Sequence, residues 1–198
     1  STGSDTIAFG DKVTATTLNL DGAGAFTFAD TVTAAVVISG DSTSTVAADV
    51  IVVGAVTNDG TTGEGTLTFE TATATATLAS STIGASGAAL KAVNVTLTED
   101  GGDADATATL TGDIYATTVT ATATDDDGTN VDTIAFGGTV NATTLNLAGA
   151  GTTTFADDVT AAVVFGANAS TTAVATVAAN KKIVGAVTTA TTDKGILT

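Results

Sequence analysis

The residues best equipped for chemistry lie in one acidic run, DDDGTNVD at 125 to 132, where Asp125, Asp127, Asn130 and Asp132 offer oxygen ligands around Gly128. Hard oxygen ligands at short, alternating spacing suit Ca²⁺, which takes about six to eight of them. Three consecutive carboxylates also repel one another within an ordered turn unless a counterion sits among them. Ca²⁺ is therefore the one cofactor the chain predicts. Against it stands the ordinary role of Asp, Asn and Gly as solvated turn residues. A second acidic stretch, TEDGGDADA at 98 to 106, carries Glu99, Asp100, Asp103 and Asp105.

The rest of the chemical inventory is sparse. The chain has no His, Cys, Met, Trp or Pro, and its five basic residues, all Lys, face 21 acidic ones for a net charge of −16. Imidazole, thiolate and His/Cys zinc chemistry are excluded by residue type. Nucleic acid is excluded as a partner because phosphate binding needs clustered positive charge. Paired carboxylates could in principle hydrolyse glycosides, but one Tyr and no Trp or Arg leave no means of furnishing a sugar cleft. The chain is thus expected to be non-enzymatic. No apolar run approaches the ~18 residues that span a bilayer, so no membrane insertion is expected.

The elements that must carry these turns are repeated ones. Residues 5 to 37 return at 132 to 164, an offset of 127, with 26 of 33 positions identical. GAVT at 54 to 57 returns at 185 to 188, and GTLT at 65 to 68 returns as GILT at 195 to 198. Two units follow: 1–131 as a first long repeat and 132–198 as a truncated second copy continuing the same body. Because the chain opens without Met and stops inside the second copy, it is expected to be a segment of something longer.

Between Gly and Asp punctuation the sequence alternates with period two, as in TATATATL at 71 to 78 and TTVTATAT at 117 to 124, which predicts strands of β-branched residues. Only TTAVATVAAN at 171 to 180 could compete as a short helix. A shorter rhythm lies inside the unit: Ile7, Phe9 and Val13 are echoed 19 residues on by Phe26, Phe28 and Val32. That spacing predicts an all-β parallel β-helix, or β-solenoid, of roughly 20-residue coils. Phe9, Phe28, Phe136 and Phe155 are expected to point inward, whereas position 26, which becomes Thr153 in the second copy, is expected to point outward or sit at a corner. The alternative is a string of tandem immunoglobulin-like β-sandwiches, in which 117 to 130 would form a closing hairpin.

In composition and rhythm the whole chain resembles the Thr/Ala/Asp-rich repeats of bacterial surface-layer proteins, extracellular filament subunits and giant adhesins of β-solenoid type. Residues 98 to 106 resemble the calcium-binding nonapeptides of type I secreted proteins, with Ala104 and Ala106 where that repeat has Gly and Asp. The resemblance implies an extracellular, bacterial cell-surface location and a structural role: self-association into a homo-oligomeric lattice or fibre, with calcium ordering the acidic turn. It equally implies the stalk or display segment of a large secreted adhesin, with binding carried by loops at 39 to 49 and 165 to 183. A third role, ice binding, requires a Thr pair at the same place in every coil, and the varying turn lengths argue against such a register.

Overall fold

The structure, a computed structural model, describes residues 5–71, 76–98, 105–124, 131–166, 172–190 and 195–198. Among these, all regular structure is extended. The chain begins with β1 (Thr6–Phe9), β2 (Val13–Leu20), β3 (Ala25–Phe28) and β4 (Val32–Ile38), followed by β5 (Thr43–Val46), β6 (Val52–Val53) and β7 (Val56–Asn58). Longer strands occupy the middle: β8 (Glu64–Thr71), β9 (Ala76–Ala79), β10 (Leu90–Thr98), β11 (Thr107–Leu110) and β12 (Ile114–Thr124). The second copy supplies β13 (Thr133–Phe136), β14 (Val140–Gly149), β15 (Thr152–Phe155) and β16 (Val159–Phe165). The chain closes with β17 (Ala173–Val177), β18 (Ile183–Val184), β19 (Val187–Thr189) and β20 (Gly195–Leu197).

Every pairing between these strands is parallel, and they form two ten-stranded sheets, so the protein is a β-solenoid. The tandem-sandwich alternative is corrected: 114 to 124 is no hairpin but a single rung lying parallel between β10 and β14. Residues 173 to 177, inside the stretch where a helix could compete, form β17, because alternating Val and Ala place Ala173 and Ala175 in the core.

Following the register gives three stacked columns. The first runs from β1 through β3, β5, β8, β10 and β12 to the C-terminal part of β14 and to β16 and β19. The second runs from the start of β2 and β4 through β6, β9, β11, β13 and β15 to β17 and β20. The third joins the two sheets along the line Val36, Val56, Ile83, Ile114, Val140, Val159 and Ile183. Nine rungs in the first column, each rising about 4.8 Å, place the end strands roughly 38 Å apart.

Coil length is less regular than the 19-residue echo suggests. Along the first column the partners are Thr6, Ala25, Thr43, Thr66, Ala92, Thr118, Thr144 and Ala162, steps of 19, 18, 23, 26, 26, 26 and 18 residues. Longer coils arise where first-column strands lengthen, as in the nine residues of β10 and eleven of β12. The column register survives these changes, because extra residues are taken up at strand ends and corners.

The two sequence copies do not occupy the same sides of the coil. TIAF is first-column β1 at 6 to 9 but second-column β13 at 133 to 136. VTATTLNL bends from the second column into the third as β2, and its counterpart VNATTLNL bends from the third into the first as β14. The same irregularity marks both bends, between Thr14 and Thr17 and between Asn141 and Thr144. The 127-residue offset therefore equals five coils plus one side. One sequence can serve any side because each side asks for the same thing, alternating small apolar residues inward.

Strands show the burial alternation expected of a sheet with one dry face, as in the buried Phe26, Phe28, Val159, Val163 and Phe165. The core is Val, Leu, Ile, Ala and Phe in one continuous cluster. Phe28, Phe136 and Phe155 are buried, and Phe9 is partly buried against the same cluster. The rings stack along the axis, Phe9 on Phe28 at 5.0 Å and Phe136 on Phe155 at 5.4 Å, close to the rung spacing. The expectation for position 26 is corrected: Phe26 and Thr153 are both buried. Residues two apart on a strand share a face, so position 26 must follow Phe28 inward.

Candidate functional site

Of the predicted calcium ligands, Asp125, Asp127 and Asn130 lie outside the described residues. Asp132 is described, and it is buried at the foot of β13. Its Oδ1 accepts a hydrogen bond from the Ala106 N–H at 3.1 Å, while Asp105 Oδ1 accepts one from the Val131 N–H at 3.1 Å. The two carboxylates thus clasp the ends of neighbouring rungs reciprocally. Asp5, the counterpart of Asp132 in the first copy, is exposed, with no described rung before β1 to cover it. Both keep one backbone role, their carbonyls accepting the N–H of Ala25 and of Thr152 at 2.8 Å. Among the described residues no group of three or more acidic side chains is close enough to hold a metal ion.

Other carboxylates at the corners act in the same way. Asp113 Oδ1 accepts from both the N–H and the hydroxyl of Thr139, at 2.8 and 2.9 Å, and Asp158 Oδ1 accepts from the Lys182 N–H at 3.0 Å. Neither Asp stood out in the sequence. The signal was present in both: an Asp immediately before the Ile or Val that opens a third-column rung, Ile114 and Val159.

Two surface ion pairs also bridge coils, Lys91 to Asp41 at 2.8 Å and Lys181 to Asp157 at 2.7 Å. The hydrogen bond from Lys91, then its charge, holds the Asp41 carboxyl below the usual range. The hydrogen bond from Lys181, helped by the Asp158 N–H, does the same for Asp157, and that carboxylate in turn raises the Lys181 ammonium. The Asp157 pair therefore loses its contribution as pH falls through the lowered carboxyl pKa, and again as pH rises through the raised ammonium pKa. Exposure keeps either contribution small.

Two concave places lie at the edges of the described stack, and a third lies along its side, lined by Ala85, Gly87, Tyr115, Asn141 and Thr143. One depression is lined by Asp5, Ile7, Asp21, Gly22, Gly24 and Phe26, and another by Val177, Lys181, Ile183, Val187, Leu197 and Thr198. Both sit where the last rung leaves inward side chains uncovered. The segments expected to be display loops, 39 to 49 and 165 to 183, contain rungs β5 and β17, so their free length is shorter than the sequence suggests.

Compared with known proteins, the chain matches no family model, no curated protein and no solved structure.

Proposed function

We propose that this chain is a non-enzymatic structural protein of the bacterial cell surface, a stiff acidic rod that joins copies of itself head to tail into a filament or layer. The supporting observation is the stacking itself: parallel ladders and one continuous apolar core run through all the described rungs, a body suited to stiffness.

An edge rung of a parallel stack carries unpaired N–H and C=O groups, so rods that meet edge to edge would continue the same ladders. Such a contact is heterologous and does not close on itself, which yields a filament.

Electron microscopy of purified protein is expected to show filaments or ordered sheets. Single rods from the unaltered protein would contradict self-assembly and favour the adhesin-stalk reading, which uses the same rod without end-to-end contact.

Calcium belongs to the same proposal. The three consecutive carboxylates Asp125 to Asp127 repel one another, and a bound cation would relieve that repulsion. Calcium is expected to raise the melting temperature and a chelator to reverse the rise. Calorimetry showing no uptake removes the ion from the account.

A further inference from the structure

The rung formed by β13 and β14 rests on β11 and β12, and the residues that seat it are nearly all repeated in the first copy. Its inward side chains, Ile134, Phe136, Val140, Leu145 and Leu147, stack on Ala108, Leu110, Ile114, Val119 and Ala121. Their counterparts Ile7, Phe9, Val13, Leu18 and Leu20 are identical. The ladder contacts, such as the Thr133 N–H to the Ala106 carbonyl and the Gly137 N–H to the Leu110 carbonyl, make no demand on side chains. By core and ladder alone, the first copy from another molecule would fit this seat as well as the chain's own second copy. Repeat proteins are prone to exchange of this kind during folding.

Glycines tell the two copies apart. Gly137, Gly138, Gly149 and Gly151 of the second copy all lie against the rung below. An added Cβ would stand 3.2 Å from Thr111 Cα at Gly137, 2.6 Å from the Gly112 carbonyl carbon at Gly138, 1.7 Å from the Ala123 oxygen at Gly149 and 2.6 Å from Ala123 Cβ at Gly151. Three of the four are glycine in the first copy as well, at Gly10, Gly22 and Gly24, but Gly138 corresponds to Asp11. The contact at Gly138 is backbone against backbone. Gly112 is itself pressed on the rung beneath, its own added Cβ falling 2.2 Å from the Ser81 carbonyl carbon, so it cannot give way. An aspartate in this place would also bring a second carboxylate close to Asp113, whose Oδ1 holds the N–H and hydroxyl of Thr139.

We propose that Asp11 bars the first copy of one molecule from the seat on β11 and β12 of another, and that Gly138 reserves this seat for the chain's own second copy. Selectivity here comes from a collision and a like charge rather than from an added attraction. Tethering favours the chain's own copy too, through an effective concentration on the order of mM, but a substitution at position 11 leaves the tether unchanged. The inference is independent of end-to-end assembly, since β11 and β12 lie inside the stack.

The test is exchange between molecules. Thr109 is the register partner of Ala135, whose counterpart in the first copy is Ala8. Chains carrying Thr109→Cys are unfolded together with isotope-labelled chains carrying Ala8→Cys, refolded by dilution at high concentration and then oxidised. A mixed disulfide between positions 8 and 109 reports a first copy on the foreign seat, because register partners lie within disulfide reach. With Asp11 in place, this cross-link is expected to stay at the level of an out-of-register control, Ala8→Cys with Thr118→Cys. Adding Asp11→Gly to the Ala8→Cys chain should raise it at least about tenfold. Asp11→Ala should raise it little, because the Cβ remains. Position 11 is exposed, so each variant is expected to keep the circular-dichroism spectrum of the unaltered protein. Equal cross-linking with and without Asp11→Gly, at whatever level, overturns the proposal, and so does a rise with Asp11→Ala as large as that with Asp11→Gly.

Discussion

Phe136→Ala is expected to lower the stability of the rod by about 3–5 kcal/mol, the usual cost of removing a buried aromatic ring. Phe136 is almost completely buried, and its ring lies 5.4 Å from Phe155 with the planes 5° apart. Deleting it leaves a cavity bounded by Leu110 below and Phe155 above in the same file. Backbone ladders on both sides hold the rungs at fixed spacing, so the neighbours cannot collapse into the gap. Phe136→Leu should recover more than half of the loss by refilling most of the volume. Denaturant unfolding of the three proteins checks this. Equal stability of all three would show that the second column is not packed as described.

Gly149→Ala is the second large effect, expected to cost at least about 3 kcal/mol through backbone strain and collision combined. Gly149 has φ of +89°, which L side chains rarely adopt, and an added Cβ would lie 1.7 Å from the Ala123 carbonyl oxygen. That oxygen belongs to the adjacent rung and accepts the Gly151 N–H at 3.1 Å, so it cannot retreat without breaking the ladder. Gly22, with a similar φ of +104° but nothing within 4 Å of an added Cβ, is the matched control. Gly22→Ala should cost only the dihedral strain, on the order of 1 kcal/mol. If both substitutions cost the same, the close approach of rungs at Gly149 is not real.

Much of the architecture was legible in the residues themselves. Alternating Thr and Val between Gly and Asp turns specified strands, and the recurrence of Phe9 as Phe28 and of Phe136 as Phe155 specified rungs whose rings stack in file. Parity alone puts position 26 on the same side as position 28, and the change from Phe26 to Thr153 obscures this because a buried strand position tolerates a large difference in volume. Coil length was legible only for the first rungs, since the 26-residue coils combine longer strands with a longer connection, as between Thr98 and Thr107, and neither disturbs the period-two pattern.

The shift of the second copy by one side could not have been read from sequence. TIAF makes the same demand of a rung, a dry inner face and two open edges, whether it occupies the first column or the second. At the candidate site the acidic residues were visible but their use was not. Asp132 attracted attention as an oxygen ligand, and it proves to hold the Ala106 N–H of the rung below, a partner 26 residues away that no local spacing reveals. The alignment of Thr66 and Thr68 in β8 with Thr118 and Thr120 in β12 was equally hidden, because a strand says nothing about its register with another until the coil length between them is known.

Whether parallel rungs share one register can be read from engineered disulfides, since the chain has no native Cys. Thr120 and Asn146 are register partners on β12 and β14, 26 residues apart. Cysteines at both positions would have Cα atoms about 5 Å apart, within disulfide reach. Rapid oxidation to one intramolecular cross-link is expected for Thr120→Cys with Asn146→Cys, and little for Thr120→Cys with Ala148→Cys, which is displaced by two residues along the strand. Equal cross-linking of the two pairs, or none in the register pair, would contradict the stacked solenoid.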